Sequence, residues 1–453
     1  MKKLALFLFL AIAATLAPVQ AAQKNRPNIV FILVDDIRWD AFSCMGHPIA
    51  KTPNIDRIAN EGAKFKNFFV TIPLCSPSRA CYLTGQYSHR SGILDNSDRS
   101  AQSHKLVTFP MLLQKAGYET AFLGKWHMGN DDSPRPGFDH WLAMKGQGVY
   151  NDPTLNLDGE RKKYPGYITD ILNSNAVAFI NQPHSKPFCL YFGHKAVHGP
   201  FTPAERYKNL YADDKVHFPP SIHDDDHDKP VLLRVDPAHP KLKIPKGPDW
   251  PGPIGTVKQQ LRCLQAIDDG VRDMLQALQK TGQLDNTIIV FTSDNGYFWG
   301  EHGLGDKRWS YEESIRDPLF IRYPKLIKPG TTYDQMVLGI DIAPTFLQLG
   351  GAKIPKNIEG DSLIPLLKNP SASWRQSALF EYFVDPNYKR FPAWKAARTS
   401  DWIYIHYVDL QGMDELFDLK KDPLQMHNVA SDPQFAEHLK KMQAELAALL
   451  RKY

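Results

Sequence analysis

The sequence predicts an α/β protein with a doubly wound, mostly parallel sheet and a smaller antiparallel-sheet subdomain near the C-terminus. Several short apolar runs lack the polar alternation of half-exposed strands, which indicates strands buried on both faces. Helix-like segments separate these runs, as the crossover connections between parallel strands require. From about Trp374 the pattern changes to closely spaced strands, which favours an antiparallel meander.

Four apolar runs predict the parallel sheet: residues 28–34, 120–123, 188–192 and 287–291. Segments with helical periodicity lie among them, at residues 54–61, 109–116, 167–180 and 257–281. Each of the four runs is followed at once by a polar cluster. Because ligands of such sheets bind beyond the carboxyl ends of the strands, we expect the four clusters to converge on one site.

The C-terminal region predicts a small subdomain. Residues 378–384, 394–399 and 402–408 have the pattern of a meander, and residues 434–450 that of an amphipathic terminal helix. We therefore predict a main domain over residues 22–372 and a subdomain over residues 373–453.

Residues 1–21 have the pattern of a secretory signal peptide. Lys2 and Lys3 precede an apolar run, and Val19-Gln20-Ala21 suits a cleavage site. A membrane anchor is the alternative, but the run is short for a span. We predict export to the periplasm or the extracellular space, with no membrane span after processing. The net charge of +5 permits anionic substrates without favouring nucleic acid.

An odd number of cysteines in an exported protein suggests that one thiol has a separate role. The five are Cys44, Cys75, Cys81, Cys189 and Cys263. If Cys75 has that role, the other four are enough for two disulfides, and the sequence does not decide whether they pair.

Two pairs of oxygen-bearing residues follow predicted strands and offer ligands for a metal ion. Asp35 and Asp36 follow the first strand, and Asp294 and Asn295 follow the fourth. Three carboxylates and one amide oxygen suit Ca²⁺, with Mg²⁺ as the other option. Clustered carboxylates repel one another, which favours a cation there. Helix capping by the aspartates is the alternative. We interpret His223-Asp-Asp-Asp-His-Asp228, in the proline-rich stretch 217–253, as a solvated loop rather than a metal site.

The segment Leu74-Cys-Ser-Pro-Ser-Arg-Ala-Cys-Tyr-Leu-Thr-Gly85 carries the strongest chemical signal. Ser76 suits the N-cap, Pro77 the first helical position and Gly85 the end of a helix. Cys75 would then lie at a helix N-terminus, where N–H groups and the dipole favour an anion, and Arg79 could brace that anion. Local chemistry alone leaves open a structural cysteine or a thiolate nucleophile.

Cys75-Ser-Pro-Ser-Arg79, followed by Leu83-Thr-Gly85, resembles the signature of the type I (formylglycine-dependent) sulfatases. In that family the signature directs oxidation of its cysteine to formylglycine. The resemblance therefore implies a formylglycine-generating or sulfatase-maturing enzyme as a partner during maturation. It extends from Arg26 to residues 415–423. It implies the alkaline-phosphatase-like fold, a C-terminal four-stranded sheet with a helix, and a sulfuric ester hydrolase whose catalytic domain is residues 22–372.

The resemblance also implies the residues of the site. The metal would be bound by Asp35, Asp36, Cys75, Asp294 and Asn295. Catalysis would be carried by Cys75, Arg79, Lys125, His127, His198 and Lys307. Lys125 and Arg79 would hold the aldehyde hydrate and the sulfate. His198 and Lys307 would serve the leaving oxygen, and His127 would help sulfate depart. His194, Lys195, His302 and Arg308 lie near these motifs without an assigned role.

Residues 146–159 and 166–170 are similar to bacterial sulfatases of the polysaccharide-degrading group, some of which resemble N-acetylglucosamine-6-sulfatase. We therefore expect a sulfated saccharide as substrate. Trp299, Trp309 and Trp394 are candidates for stacking on a sugar, or else packing residues. The alternatives are an arylsulfatase, a phosphoesterase of the same superfamily and a non-catalytic protein that binds sulfated glycans. The phosphoesterases generally bind a second metal, whose place is taken here by Lys125, His127 and Lys307.

Overall fold

The structure is a computed structural model that describes residues 26–233 and 252–453. The predicted signal peptide lies outside the described residues, as does part of the stretch 217–253. Within the described ranges, no helix is both long and apolar enough to cross a membrane.

Sixteen strands are found in the described ranges. They are β1 (Asn28–Val34), β2 (Ala63–Phe69), β3 (Glu119–Lys125), β4 (His140–Met144), β5 (Thr154–Leu157), β6 (Glu160–Lys163), β7 (Phe188–Gly193), β8 (Thr287–Ser293), β9 (Phe298–Trp299), β10 (Gly305–Asp306), β11 (Leu319–Arg322), β12 (Thr331–Leu338), β13 (Ser377–Tyr382), β14 (Trp394–Thr399), β15 (Trp402–Tyr407) and β16 (Glu415–Asp418).

The α-helices in the same ranges vary from single turns to a helix of 29 residues. They are α1 (Pro53–Asn60), α2 (Cys75–Thr84), α3 (Ser88–Ser91), α4 (Ser100–Ser103), α5 (Phe109–Lys115), α6 (Ile168–Asn181), α7 (Pro230–Leu233), α8 (Gly252–Lys280), α9 (Glu312–Ile315), α10 (Ile342–Leu349), α11 (Ile364–Lys368) and α12 (Ala436–Lys452).

A ten-stranded sheet has the order β12-β2-β11-β8-β1-β7-β3-β4-β5-β6. Its centre, β8-β1-β7-β3, consists of the four predicted runs, and these strands are parallel neighbours. Strand β11 runs antiparallel to β8, and β5 antiparallel to β4. The prediction of a mostly parallel sheet is therefore confirmed.

Both faces of this sheet are covered by helices. Along β1, Val30 and Ile32 belong to the apolar core on one face, while Ile29 and Phe31 belong to the core on the other. Helices α1, α6 and α8 contribute to the first core, and α2, α5 and α10 to the second. Because alternate residues are buried on opposite sides, the strand shows no polar alternation in the sequence.

The second sheet is antiparallel and has the order β13-β14-β15-β16. Helix α12 packs on it through Met442, Leu446 and Leu449. The expected four-stranded sheet with a helix is thus confirmed, while the boundary at residue 373 stays a prediction. All five cysteines are free thiols in the described chain.

Candidate active site

The carboxyl ends of the four central strands bring the predicted clusters together. Asp35 and Asp36 follow β1, and Asp294 and Asn295 follow β8, its neighbour in the sheet. Lys125 ends β3, and the segment from His194 to His198 follows β7. Asp36 and His127 adopt positive φ angles of 59° and 62°, which non-glycine residues rarely do outside tight turns and functional sites.

Helix α2 places Cys75 at this edge. The helix begins at Cys75 itself, with Leu74 as its N-cap, so the prediction of Ser76 as N-cap is wrong. The Ser76 hydroxyl instead donates to the His127 carbonyl, outside the helix, and so does not cap it. Gly85 ends the helix as predicted: its φ is 67° and its N–H donates to the Cys81 carbonyl.

The Cys75 thiol is buried beside a carboxylate. Its Sγ lies 3.7 Å from Asp35 Oδ1. Burial raises the pKa of the thiol to about 12, against the opposing effect of Lys307. An unmodified Cys75 would therefore be a neutral thiol at neutral pH, which makes a plain thiolate nucleophile unfavourable here.

Three carboxylates lie close enough to share one cation. Asp35, Asp36 and Asp294 each place an oxygen within 4.8 Å of the others, and all three residues are buried. The Asn295 amide donates to Asp36 Oδ1 at 2.7 Å, while its Oδ1 is buried without a hydrogen-bond partner in the described chain. Orphaned buried acceptors are rare, so a hard divalent cation fits this donor set.

Arg79 lies one turn from the start of α2 and joins the acidic ends of β1 and β8. Its guanidinium donates to Asp294 Oδ2 at 2.9 Å and to Asp35 Oδ2 at 3.1 Å. Its Nη1 donates to the Lys125 carbonyl at 2.6 Å. This buried arginine therefore fixes the tips of β1, β3 and β8 relative to one another.

Two lysines face the same carboxylates from different elements. The Lys125 ammonium donates to Asp35 Oδ2 and, at 2.6 Å, to Gln147 Oε1. The Lys307 ammonium donates to Asp36 Oδ1. Both lysines are almost fully buried, so neither is the solvated surface residue that a strand-end lysine usually is.

His198 lies at the same cluster. Its Nδ1 is 2.9 Å from the Gly199 carbonyl and its Nε2 is 3.7 Å from Asp36 Oδ2. The first contact assigns the Nδ1 proton, which leaves Nε2 directed at the carboxylates. Burial, followed by repulsion from Lys125, lowers the pKa of His198 to about 4.

Burial acts to raise the pKa of Asp35, but the facing cations, led by Lys125, hold it well below its usual value. Burial raises the pKa of the neighbouring Asp294, and repulsion from Asp35 adds a smaller effect in the same direction. Burial and Lys125 also lower the pKa of His127 well below its usual value. These opposed shifts among close groups are typical of functional sites.

A cavity of about 750 Å³ opens onto this cluster. Asp36, His127, His198 and Lys307 line it. Other lining residues are Asn96, Asn130, Gly146, Gln147, Gly199, Pro200, Phe201, Gln259, Tyr297, Asp306, Arg308, Asn387 and Tyr388. Such a volume suits a small ligand, and Asn387 and Tyr388 lie between the strands β13 and β14 of the second sheet.

Comparisons with known proteins identify the family. The sulfatase family model matches residues 27–352, and the model for the C-terminal region of N-sulphoglucosamine sulphohydrolase matches residues 300–452. The chain belongs to the sulfatase family. It is a sulfuric ester hydrolase with the alkaline-phosphatase-like fold.

Some curated relatives of this sulfatase have names that give a saccharide substrate. An N-acetylglucosamine-6-O-sulfatase of Bacteroides thetaiotaomicron is 34% identical, over 97% of this chain and 89% of its own length. An ulvan-active sulfatase of Formosa agariphila is 30% identical, over 96% of this chain and 82% of its own length. A solved structure in complex with its substrate D-glucosamine-2-N,6-O-disulfate has a TM-score of 0.86 and 34% identity, covering 94% of this chain and 98% of that one.

Several residues near the sulfatase motifs have structural surroundings instead. His194 is buried against Phe192, with ring centroids 4.2 Å apart. Trp394 is fully buried and donates to the Arg308 carbonyl at 2.8 Å. Trp299 donates to Gln260 Oε1 at 2.6 Å. Like these two, Trp309 is a core residue that does not line the described cavity, so the tryptophans are packing residues.

The loop at residues 223–228 is not simply solvated, which corrects the sequence-based interpretation. Asp224 is 2.7 Å from His302 Nδ1 and 2.8 Å from the Lys229 ammonium. Lys229 is fully buried and donates to the Met426 carbonyl at 2.6 Å. This lysine supplies the positive charge beside Asp224, and its hydrogen bond to the Met426 carbonyl anchors the loop to the C-terminal region.

Two residues that the sequence analysis missed lie at the site. Gln147 holds the Lys125 ammonium, and Tyr388 reaches the cavity from the C-terminal sheet. Residue 147 falls in the segment 146–159 that resembled saccharide-degrading sulfatases, which was the only signal for it. Nothing in the local sequence around Tyr388 indicates that it reaches a site built from distant strands.

Proposed function

We propose that this sulfatase hydrolyses a sulfate ester of a sulfated saccharide, at the 6-oxygen of an N-substituted glucosamine, through formylglycine made from Cys75. The observation that carries the proposal is the burial of Cys75 at a helix N-terminus among three carboxylates and three cations, beneath a cavity of about 750 Å³. The sugar is supported by the relative named N-acetylglucosamine-6-O-sulfatase, which aligns with 97% of the chain. An arylsulfatase is the alternative.

The metal site would comprise Asp35, Asp36, Asp294, Asn295 and the modified Cys75 side chain. Calcium suits these hard oxygen donors, and Mg²⁺ would need stricter octahedral geometry. The three carboxylates already face Arg79 and the two lysines. When bound, the divalent cation supplies positive charge that attracts and polarises the anionic sulfate group.

Residues around Cys75 would hold the nucleophile and the sulfate oxygens. Formylglycine, hydrated by one water molecule, would supply a geminal diol. One hydroxyl would attack sulfur with release of the sugar alcohol, and the other would later expel sulfate and restore the aldehyde. Arg79 and Lys125 would stabilise negative charge on this group and on the sulfate, since both are buried and fixed by carboxylates. His127, whose lowered pKa keeps it neutral, would accept the proton of the second hydroxyl.

His198 and Lys307 would serve the leaving oxygen of the sugar. Both line the cavity beside Asp36, on the side open to a substrate. Burial acts to lower the pKa of Lys307, but Asp36 and the other anionic groups around it together raise this pKa well above its usual value, so the group stays cationic. His198 would donate its Nε2 proton to the departing alcohol, once the bound anion favours its protonated form.

The remaining predictions extend this proposal to the whole chain. A signal peptide at residues 1–21 would direct export to the periplasm or the extracellular space. A formylglycine-generating or sulfatase-maturing enzyme would oxidise Cys75 before the chain folds, because the folded thiol is fully buried. Residues 22–372 would form the catalytic domain and residues 373–453 the subdomain.

The test is sulfate release from N-acetylglucosamine-6-sulfate by protein from a host with a maturation enzyme. Mass spectrometry of the peptide that contains Cys75 should show the aldehyde. Cys75→Ala should abolish release, because no neighbour can form the diol. Cys75→Ser should stop after one turnover and accumulate a sulfated enzyme, since a single hydroxyl cannot expel sulfate.

Cys44→Ala is the matched control, because it removes a partly buried thiol away from the site and should leave sulfate release unchanged. An unmodified thiol in active wild-type protein would contradict the mechanism. Turnover of an aryl sulfate or a phosphate monoester, without turnover of the sulfated sugar, would contradict the proposed substrate. A protein whose Cys75 is never oxidised, and which binds sulfated sugars without turnover, would instead be a glycan-binding protein.

A further inference from the structure

Arg308 is a buried cation of the cavity that the proposed mechanism does not use. It directly follows Lys307, and both residues line the cavity. Neighbours in an extended chain usually face opposite sides. Here the φ of Arg308 is 87°, a conformation that is unfavourable for a non-glycine residue. The chain thus adopts an unfavourable turn where two adjacent cations reach one cavity.

The backbone of Arg308 is held from two sides. Its N–H donates to Ser314 Oγ at 3.1 Å, and its carbonyl accepts the Trp394 indole N–H at 2.8 Å. Trp394 belongs to β14 of the C-terminal sheet and is fully buried. A residue fixed in this way can recognise a ligand without first losing its own conformational freedom.

The guanidinium is stacked on aromatic rings and only partly paired. Its Cζ lies 4.1 Å from the centroid of the Tyr388 ring and 5.3 Å from that of Phe391. Nη1 donates to Asp306, whereas Nε has no hydrogen-bond partner in the described chain. Arg308 is 3% exposed, while Tyr388 is 42% exposed at the same cavity. Because Arg308 lines the cavity, its guanidinium is suited to an anion that enters there.

We propose that Arg308 is a specificity residue that binds a second anionic group of the saccharide, distinct from the sulfate that is hydrolysed. This inference rests on the proposed function. Two sources share the required chemistry: an N-sulfate on the same glucosamine ring and the carboxylate of an adjoining uronic acid. The Tyr388 ring would pack against the sugar with its open face, while Arg308 stacks on the opposite face of the same ring.

The test measures binding by calorimetry in calcium, in a Cys75→Ala background that prevents turnover. The three ligands are N-acetylglucosamine-6-sulfate, D-glucosamine-2-N,6-O-disulfate and a disaccharide that links a uronic acid to N-acetylglucosamine-6-sulfate. We expect one of the two dianionic ligands to bind about 10- to 100-fold more tightly than the monosulfate, as for a charge-assisted hydrogen bond. Which of the two it is identifies the source of the anion.

Arg308→Gln should remove the preference, so that the affinity for that ligand falls to within about twofold of the affinity for the monosulfate. Asp306 is partly exposed, so its charge stays solvated when the arginine is removed. Arg308→Lys should retain part of the preference, because it keeps the charge but not the planar fork. Arg316→Gln is the control: Arg316 also stacks on an aromatic ring and pairs with a carboxylate, but does not line the described cavity.

Equal affinity for all three ligands in the presence of Arg308 would overturn the inference and leave the proposed function standing. A uniform loss of affinity in Arg308→Gln would also overturn it, since that is the effect of a purely structural residue. If none of the three sugars binds, the assignment of the sugar fails and the inference fails with it.

Discussion

At the scale of single residues, Asn295 decides whether a metal fits the site. Its Oδ1 is a buried acceptor without a donor in the described chain, although its amide group is fixed by Asp36 and the Gly296 carbonyl. Leaving such an acceptor unpaired costs about 1–3 kcal/mol. A cation bound between this oxygen and the three carboxylates removes the cost.

We therefore expect Asn295→Ala to weaken calcium binding by about tenfold or more, because one neutral oxygen ligand is lost. Metal analysis after dialysis and calcium titration both measure the change. Prolonged chelation of the wild type should likewise stop sulfate release and be reversed by calcium. Asn67→Ala, at a half-buried asparagine of β2, is the control. Unchanged calcium affinity in Asn295→Ala would argue that the ion binds elsewhere.

Individual site residues differed in how far the sequence could reveal them. Asp35 and Asp294 were predictable because each follows an apolar run, and parallel strands end at one edge. The contacts of Arg79 with these two aspartates could not be predicted from the sequence, since they depend on the packing of α2 against the sheet. Gln147 and Tyr388 were missed because tertiary structure alone brings them to the cavity.

At the scale of elements, the N-terminus of α1 depends on another helix. Thr52, its N-cap, makes no side-chain capping bond. Asp268 of α8 instead accepts the N–H groups of Asn54 and Ile55 at 3.0 and 2.8 Å. It also accepts the Asn54 side-chain amide at 2.6 Å. One carboxylate from another helix thus satisfies N–H groups that are usually capped by a side chain just before the helix itself.

Asp268→Ala should destabilise the protein by about 1–3 kcal/mol, because it leaves these buried donors without an acceptor. Asp268→Asn should cost less, since its amide oxygen still accepts and burial already raises the Asp268 pKa to about 6. Chemical denaturation measures both. Asp273→Ala, at a half-exposed position of the same helix, is the control. Stability within about 0.5 kcal/mol of wild type for Asp268→Ala would exclude the capping role.

The elements also show why sequence prediction succeeded only in part. Apart from the half-buried Glu119 at the start of β3, the four central strands are buried throughout and therefore appear as plain apolar runs. Strand β6, with the sequence Glu-Arg-Lys-Lys, is fully exposed and gives no such signal. Strand β2 mixes lysine with phenylalanine because its burial alternates. The start of α2 was misplaced because Ser76 bonds to a distant carbonyl instead of capping the helix.

At the scale of the whole molecule, the two sheets are joined through a buried carboxyl. Glu415 of β16 accepts the Tyr311 hydroxyl at 3.1 Å and the Tyr407 hydroxyl at 3.0 Å. Tyr311 directly precedes α9, in the region that leads back to the large sheet, whereas Tyr407 ends β15. The contact therefore ties the C-terminal subdomain to the part of the chain that carries Lys307 and Arg308.

The pH dependence of stability should reveal this buried carboxyl. Burial raises the pKa of Glu415 from 4.5 to about 7, although the hydrogen bonds from Tyr407 and Tyr311 act to lower it. The folded state thus holds this proton more tightly than the unfolded state does. The resulting stabilisation is complete below about pH 4.5 and is lost as the pH rises through 7. A shift of that size corresponds to roughly 3 kcal/mol at most.

Glu415→Gln should remove that loss, because the neutral amide is nearly isosteric and still accepts a tyrosine hydroxyl. Near pH 5 the variant should match wild type, and at pH 8 it should be more stable by about 1–3 kcal/mol. Urea denaturation at the two pH values measures the difference. Glu437→Gln, at the exposed start of α12, should differ from wild type by the same small amount at both pH values. If Glu415→Gln were instead destabilised equally at pH 5 and pH 8, Glu415 would be charged at both pH values. The charged carboxylate would then join the two sheets, and its burial would strengthen the hydrogen bonds from the two tyrosines.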